Sequence, residues 1–276
     1  MIARNPLHLR ADPAFTASAG GNVSVQQRRV EIISQLHRDG YVEAKKLSAE
    51  FGVDTSTIRR DLDVLVRSGQ AERTHGGAKA VGGAALDIPY AVKEFERRQQ
   101  KVAIAAHATA RVREGDSVVL DSGSTTFQVA MALRNIPDLS FITNDLRIAT
   151  LLAAVPDVRL FLAGGELLNS VFTLTGPRAT EFFSDFSATW AFLGADALDA
   201  EVGITNTNTR EVPVKRAMIK AAATSIVVAD SSKFESRTLA RVAHLDEVDH
   251  LVTDSGLDPA IVANYGSRLE LVDFEQ

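Results

Sequence analysis

The chain has 276 residues, of which 45% are hydrophobic, 24% charged and 6% aromatic, so it can form one large domain or two unequal ones. It contains no cysteine, which excludes a disulfide scaffold, a cysteine nucleophile and thiolate metal sites. No apolar run approaches the roughly 20 residues that span a bilayer, and the start of the chain lacks the apolar core of a secretory signal. We therefore expect a cytoplasmic protein with no membrane partner and a flexible tail over 1–23.

The charge is unevenly distributed along the chain. The net charge is −5 at pH 7, but residues 1–80 carry 12 Lys and Arg against 9 Asp and Glu, while the remaining residues carry 18 against 26. A basic N-terminal part beside an acidic remainder is a weak indication of a nucleic-acid-binding module.

Two short helices are predicted at the start of the basic part. Ser24 and Gln27 have the spacing of a capping box, and apolar residues at helical intervals extend the first helix over 25–38. A second helix over 43–51 is ended by Gly52.

A third helix and a hairpin follow. Asp54 can cap a helix whose inward face carries Ile58, Leu62 and Leu65. Residues 70–80 show polar alternation around two glycines, which predicts a small two-stranded hairpin, or wing.

The pattern changes after a glycine-rich, proline-containing linker over 81–94. Short apolar runs then alternate with helical segments, which is typical of a largely parallel sheet covered by helices. The predicted strands are 117–120, 139–142, 158–162, 189–193, 225–229 and 250–253. The predicted helices are 97–113, 125–134, 145–154, 176–185 and 209–223.

The third helix has the features of a DNA-reading helix. A tight glycine-containing connection at 51–53 joins it to the second helix, as in a helix-turn-helix, in which the first turns of the second helix enter the major groove. The residues placed to contact bases and phosphates are Thr55, Ser56, Thr57, Arg59 and Arg60. Alternatively, Arg59 and Arg60 form a solvated helix face paired with Asp61 and Asp63.

Residues 25–80 resemble the winged helix-turn-helix of DeoR-type regulators. The recognition helix stands here as VDTSTIRRDL and the wing as RTHGGAKA, with Asp54 in place of the usual serine. The resemblance implies a bacterial transcription regulator that binds operator DNA. His75 lies near the wing turn, where a phosphate contact or an ordinary exposed histidine would both fit.

A cluster of hydroxyls at the start of a helix predicts an anion site. The strand ending at Leu120 runs directly into Asp121, Ser122, Gly123, Ser124, Thr125 and Thr126. Because helix N-termini present free N–H groups, this motif favours phosphate binding, although such clusters also form ordinary turns.

Other predicted strands also end in polar or glycine residues, and the carboxyl ends of parallel strands meet in one crevice. The candidate contacts there are Asp121, Asn144, Gly164, Gly165, Asp196, Glu211 and Lys233. Lys233 would meet a phosphate, Asn144 and Asp121 would bind hydroxyls, and the glycines would let the backbone approach a ligand. The acidic residues could also serve as acid and base, or be ordinary helix caps and surface ion pairs.

Other ligand classes find no support. No P-loop or dinucleotide-binding glycine pattern occurs, and the six histidines lack metal-ligand spacing. We therefore expect no cofactor and no metal.

The second half of the chain resembles the DeoR C-terminal sensor, which is similar in fold to ribose-5-phosphate isomerase. The matching stretches are DSGSTT, TND, AGGE, LGAD and ADSSKF. The resemblance implies that the hydroxyl motif cradles a sugar phosphate with help from Lys233. Asp196, Glu211 and Lys215 match the acidic and lysine positions of the isomerases, but their glycine-rich turn KGGG is missing, so we expect binding without catalysis.

The sequence thus predicts an α/β protein with a winged helix-turn-helix and an isomerase-like sensor. We expect a repressor of a carbohydrate-utilisation operon that a phosphorylated sugar releases from DNA and that acts as a homodimer or homotetramer. The alternatives are a sugar-phosphate isomerase with an accessory DNA-binding domain, and an N-terminal domain that docks a protein. The expected boundaries are a tail over 1–23, the winged domain over 24–80, the linker over 81–94, the sensor over 95–255 and a C-terminal segment over 256–276.

Overall fold

The computed structural model describes residues 24–67, 71–80, 93–94, 96–168 and 171–274. The predicted tail, most of the predicted linker and the side chain of Gln27 lie outside these residues. The chain divides into two compact units, Met1–Val81 and Gly82–Gln276. None of the helices that the described residues form is long and apolar enough to cross a bilayer.

The first unit contains the three predicted helices and the predicted hairpin. Its elements are α1 (Val25–Asp39), β1 (Tyr41–Glu43), α2 (Ala44–Phe51), α3 (Thr55–Arg67), β2 (Glu72–Thr74) and β3 (Gly77–Lys79). The structure adds β1, which pairs antiparallel with β3, so the wing is a three-stranded sheet in the order β1-β3-β2.

Two glycines shape this unit. Gly52 ends α2 in the left-handed conformation, with φ at 62°, and its N–H donates to the carbonyl of Ser48. A Cβ at Gly77 would lie 1.9 Å from the carbonyl oxygen of Val42, so β3 approaches β1 this closely only because the residue is glycine.

The core of the first unit is formed by the inward faces of its helices. Ile58, Leu62 and Leu65 are buried, as their spacing predicts, and so are Leu36 on α1 and Leu47 on α2. Burying each of these side chains contributes roughly 1.5–3 kcal/mol, which makes apolar packing the main force that holds α3 in place.

The second unit alternates strands and helices. Its helices are α4 (Arg98–Thr109), α5 (Ser124–Leu133), α6 (Leu146–Ala153), α7 (Pro177–Ser184), α8 (Val212–Lys220) and α9 (Pro259–Val262). Its strands are β4 (Ser117–Leu120), β5 (Ser140–Thr143), β6 (Arg159–Leu162), β7 (Glu166–Leu168), β8 (Thr173–Thr175), β9 (Ala188–Leu193), β10 (Ala197–Asp199), β11 (Gly203–Asn206), β12 (Ala222–Val228), β13 (Ala240–Ala243), β14 (His250–Asp254) and β15 (Leu269–Val272). Short 3-10 turns cover Ser231–Lys233, Leu245–Glu247 and Ala263–Arg268.

Seven of these strands form one parallel sheet in the order β15-β14-β12-β9-β4-β5-β6. Along β4, Val118 and Leu120 pack into one apolar cluster and Val119 into another. Because neighbouring residues of a strand face opposite sides, both faces of the sheet are covered, as predicted. All six predicted strands belong to this sheet.

The structure contains elements that the sequence did not predict. Strands β7 and β8 form a hairpin, and β10, β11 and β13 form a small antiparallel sheet. Residues 256–276 were predicted as a segment that follows the sensor. They supply β15 at the edge of the main sheet and the buried Tyr265. These strands are only three or four residues long, too short for a reliable alternation pattern.

The order of strands reverses in the middle of the sheet. From β4 the chain proceeds through β5 to β6 at one edge, and from β9 it proceeds through β12, β14 and β15 to the other. Strands β4 and β9 are therefore neighbours whose following loops turn in opposite directions. Such a switch point leaves a crevice at the carboxyl ends of the two strands, where ligands bind in open α/β sheets.

Candidate functional site

The surface of α3 carries the candidate DNA contacts. Ser56, Arg59 and Arg60 are exposed, whereas Thr55 and Thr57 are half-buried. The hydroxyl of Thr55 donates to that of Ser48 at 3.3 Å, which links the first turn of α3 to α2. A row of exposed polar side chains thus covers the first two turns of the helix.

The carboxylate of Asp61, which follows these arginines in the sequence, pairs with arginines of α1. Asp61 is buried and accepts hydrogen bonds from Arg28 and Arg29 of α1, each at 2.7 Å. Asp63 is exposed and lies 3.6 Å from Arg73 of the wing.

The alternative interpretation is therefore wrong: Asp61 and Asp63 pair with other arginines and do not neutralise Arg59 and Arg60. Within the described residues, neither arginine forms an ion pair, so both cations are available to a polyanion. His75 is exposed at the turn between β2 and β3, also accessible to a large partner.

The second unit has a cleft, open to solvent, at the switch point between β4 and β9. Residues from the loops after both strands line it, together with side chains from α4, α8 and the Ser231–Lys233 turn. The lining residues are Lys93, Glu96, Lys101, Ser122, Gly123, Ser124, Thr125, Val171, Gly194, Ala195, Asp196, Asn206, Glu211, Lys215, Val228, Ala229, Asp230 and Lys233.

One end of the cleft is built by the start of α5. Gly123 precedes the helix with φ at 145° and has no side chain that could cap the helix N-terminus, and its own N–H is hydrogen-bonded to the carboxylate of Asp145. Thr126 turns its hydroxyl back to the carbonyl of Gly123 at 2.9 Å, which leaves Ser122, Ser124 and Thr125 to border the cleft. Free backbone N–H groups beside hydroxyls at a helix N-terminus can bind an anion.

Lys233 adds a positive charge to the same cleft. It is half-buried, and among the residues the structure describes its ammonium has no hydrogen-bond or ion-pair partner. The neighbouring Asp230 is engaged by its own turn, since it accepts from the backbone N–H of Ser232 at 3.2 Å. The charge of Lys233 is therefore available to a ligand.

The other end of the cleft holds a buried ion pair. The ammonium of Lys215 pairs with the carboxylate of Asp121 and donates to the carbonyl of Gly194 at 3.0 Å. Burial by itself would lower the pKa of Lys215, but Asp121 and Glu211 outweigh it, and the pKa is raised above its ordinary value. Lys215 is thus a fixed, charged hydrogen-bond donor.

A second ion pair stands beside it. Lys93 donates to Asp196 at 2.8 Å, and the backbone N–H of Thr207 donates to the same carboxylate at 3.0 Å. Burial would raise the pKa of Asp196, but the charge of Lys93 holds it at about 2. Asn206 donates to Glu211 at 3.1 Å, so both carboxylates at this end are held in position by hydrogen bonds.

Sequence comparisons identify both units. The DeoR-like helix-turn-helix domain matches residues 28–82, and the DeoR C terminal sensor domain matches residues 96–255. The chain belongs to the DeoR family of transcription regulators. It is 35% identical over 234 residues to the transcriptional repressor AccR of Agrobacterium fabrum, a match that covers 84% of this chain and 91% of the relative. It is 31% identical over 229 residues to the glycerol-3-phosphate regulon repressor of Escherichia coli, with 83% and 90% covered.

Membership in the DeoR family makes the chain a DNA-binding regulator rather than an isomerase with an accessory domain. The family match also agrees with the predicted winged helix-turn-helix followed by an α/β sensor. Among solved structures, ribose 5-phosphate isomerase A from Neisseria gonorrhoeae superposes with a TM-score of 0.36 at 20% identity, covering 50% of this chain and 53% of the enzyme.

The cleft of this DeoR-family regulator gathers most of the predicted contacts but not all. Asp121 does not line the cleft and instead pairs with Lys215, which does. Thr126 is buried within the first turn of α5. Asn144 does not line the cleft, since its amide donates to Thr173 at 2.8 Å and holds β8.

Gly164 and Gly165 do not line the cleft either. A Cβ at Gly165 would lie 2.4 Å from the carbonyl oxygen of Thr175, so this glycine permits the close approach of β8.

Five polar residues of the cleft were not predicted from the sequence: Lys93, Glu96, Lys101, Asn206 and Asp230. Lys93 falls in the predicted linker, and Lys101 lies within an unremarkable helical stretch. Asn206 and Asp230 do carry a signal, because Asn206 ends β11 and Asp230 lies two residues after the end of β12.

Proposed function

We propose that this regulator represses a carbohydrate-utilisation operon and leaves its operator when a phosphorylated sugar occupies the cleft between β4 and β9. The observation that carries the proposal is the division of the cleft into an anion-binding end and an end lined by fixed polar groups. One relative is named for a glycerol-3-phosphate regulon, which supports a small phosphorylated effector.

The phosphate would bind at the start of α5. Backbone N–H groups of an uncapped helix, the hydroxyls of Ser122, Ser124 and Thr125, and the free ammonium of Lys233 suit a dianion. A charge-assisted hydrogen bond of this kind contributes about 1.5–3 kcal/mol, so Lys233 alone accounts for roughly ten- to hundredfold in affinity.

The sugar hydroxyls would bind at the other end. Lys215 offers a donor, while Glu211 and Asp196 offer acceptors, and each is held by a partner of its own. Groups that are already positioned lose little entropy when a ligand binds, which favours recognition of a particular arrangement of hydroxyls. Which sugar fits is decided by these three side chains.

The operator would be read by α3 of each subunit in a homodimer or homotetramer. Thr55, Ser56 and Thr57 on the first turn would contact base edges, and Arg59 and Arg60 would contact bases or phosphates, with His75 of the wing close to the backbone. One such helix recognises a half-site, and a symmetric pair reads two half-sites about 34–36 Å apart.

The effector and operator bind different units, so the proposal requires coupling between them. Because coupling is reciprocal, a ligand that weakens DNA binding must itself bind less tightly to the DNA complex, by about 1–3 kcal/mol. The coupling can therefore be measured from the side of either ligand, and the two values must agree.

The test uses operator DNA selected by the protein from a random pool. Glycerol 3-phosphate, fructose 6-phosphate and ribose 5-phosphate, with their unphosphorylated counterparts as controls, are titrated into the preformed complex. One phosphorylated compound should release the wild-type protein. Lys233→Ala should bind DNA normally and need roughly ten- to hundredfold more of it.

Lys220→Ala is the matched control, because Lys220 is exposed on α8 and does not line the cleft. A compound that binds by calorimetry yet leaves the complex intact would contradict the coupling. Absence of binding by every phosphorylated sugar tested would contradict the effector class.

A further inference from the structure

Lys101 is a buried cation whose function the fold does not explain. It lies on α4, is 4% exposed, and borders the same cleft as Ser122–Thr125 and Lys233. Across the described ranges, its ammonium makes one hydrogen bond, to the main-chain carbonyl of Lys93. An ammonium has three donors, so two N–H groups of Lys101 remain unused.

Among the residues that the structure describes, no carboxylate forms an ion pair with the ammonium of Lys101. The charged groups that act on Lys101 are Asp230, Lys233, Glu96 and Lys93, two acidic and two basic. Asp230 caps the Ser231–Lys233 turn and lies 3.6 Å from Arg97, and among the described residues neither it nor Glu96 forms an ion pair with Lys101. Burial lowers the pKa of Lys101 to about 8.

We propose that Lys101 binds the phosphate of the effector together with Lys233 and the start of α5. The proposal rests on the proposed function and adds a residue to its anion-binding end. A buried ammonium without a counter-ion is costly, and an arriving dianion removes that cost while it uses the two free N–H groups. Two lysines in place of one match the double charge of a phosphate monoester.

The competing explanation is that Lys101 only ties the main chain at Lys93 in place. The two roles differ in their dependence on pH. If the bound anion requires a charged Lys101, binding must weaken as pH rises through 8, because the free protein loses that proton. A structural tie produces no such linkage.

The experiment measures the dissociation constant of sulfate for the full chain by thermal stabilisation at pH 7 and pH 9, against chloride at equal ionic strength. Sulfate remains a dianion over this range, so changes in affinity come from the protein. We expect the wild-type constant to rise about tenfold between the two pH values. Lys101→Met should bind about tenfold or more weakly at pH 7, with little further change at pH 9.

Two further variants keep the test decisive. Lys101→Arg keeps its charge at pH 9 and should lose the pH dependence while it retains binding, even if Lys101→Met folds poorly. Lys220→Met should behave as the wild type does. Equal sulfate affinity and equal pH dependence in wild type and both Lys101 variants would overturn the assignment.

The outcomes separate the two proposals. Sugar phosphates that bind the wild type and Lys101→Met equally well would remove Lys101 from the site and leave the proposed function standing. Sulfate binding with the expected Lys101 dependence, but no binding of any sugar phosphate, would leave Lys101 in an anion site and overturn the effector class.

Discussion

The two units of this regulator present their candidate ligand-binding cations differently. On α3, Arg59 and Arg60 are exposed and form no ion pair with any described residue. In the sensor cleft, all four lysines are buried or half-buried, and two of them, Lys215 and Lys93, are each paired with a carboxylate. On the proposed function this difference suits the two partners, because DNA is a polyanion that meets an open surface, whereas a small ligand enters a cleft.

In both units, some charged side chains are available to a ligand and others hold neighbouring residues in position. Within the first unit, Asp61 is adjacent to the exposed arginines but holds α3 against α1 through Arg28 and Arg29. Within the sensor, Asp121 holds Lys215 in the same manner. A buried carboxylate therefore sets the position of a functional element in both units, although neither carboxylate faces the partner.

Replacing Asp61 should produce the largest loss of stability. Asp61→Asn leaves Arg28 buried without its counter-charge and should lower the free energy of unfolding of the first unit by about 3–5 kcal/mol. Asp63→Asn is the matched control, because its pair with Arg73 is exposed and contributes about 1 kcal/mol or less. Denaturant titration of the full chain measures both, and equal losses would show that Asp61 has no special positioning role.

Replacing the exposed arginines should weaken DNA binding without affecting folding. We expect Arg59→Ala and Arg60→Ala each to cost about 1–3 kcal/mol in operator binding. The salt dependence should also become shallower, because a variant that neutralises fewer phosphates releases fewer counterions. Electrophoretic titration at several salt concentrations measures both quantities. Arg67→Ala, on the last turn of the same helix, serves as the control.

An unchanged affinity and salt slope in a folded Arg59→Ala, Arg60→Ala double variant would mean that another surface reads the operator. The free cations of α3 would then be an ordinary solvated helix face.

The smallest expected effect concerns a charge cluster at the edge of the main sheet. Glu270 of β15 accepts from His107 at 2.7 Å and from Arg111 at 2.7 Å, and lies 2.9 Å from His250. Burial would raise its pKa, but these neighbours outweigh it and hold the pKa at about 2. Since the folded-state pKa lies below the ordinary value, the cluster stabilises the fold above about pH 4.5 and this contribution is lost as pH falls towards 2.

Glu270→Gln should therefore lower the free energy of unfolding by about 1–2 kcal/mol at pH 7 and make the acid-side decline shallower. Glu114→Gln, at an exposed position, is the control. Calorimetric melting between pH 7 and pH 3 distinguishes them. Parallel curves for wild type and Glu270→Gln would mean that the cluster is neutral in energy.

Local signals account for what the sequence predicted well. The three helices of the first unit, the switch from helical to alternating patterns and the hydroxyl motif before α5 all depend on residues within a few positions of one another. Local signals did not predict the contacts of residues that pack against segments far away in the sequence. Gly165 and Asn144 follow strands as ligand-binding residues do, yet β8 approaches both and uses them.

The missed cleft residues show the same limit. Lys101 is one polar residue among many on a helix, and only the packing of α4 beside α5 brings it to the cleft. The pairing of Asp61 with α1 instead of its neighbours on α3 likewise requires the folded arrangement of helices. No spacing rule within the recognition helix could have shown it.

The position of β15 in the sheet has a consequence for how the protein is made. β15 is the last strand along this chain, and it covers the outer edge of β14. The elements of the first unit all lie before residue 82, so this unit can fold while the ribosome is still translating the sensor. The main sheet, in contrast, cannot be completed until Leu269–Val272 has left the exit tunnel, so the DNA-binding unit can be complete before the sensor is.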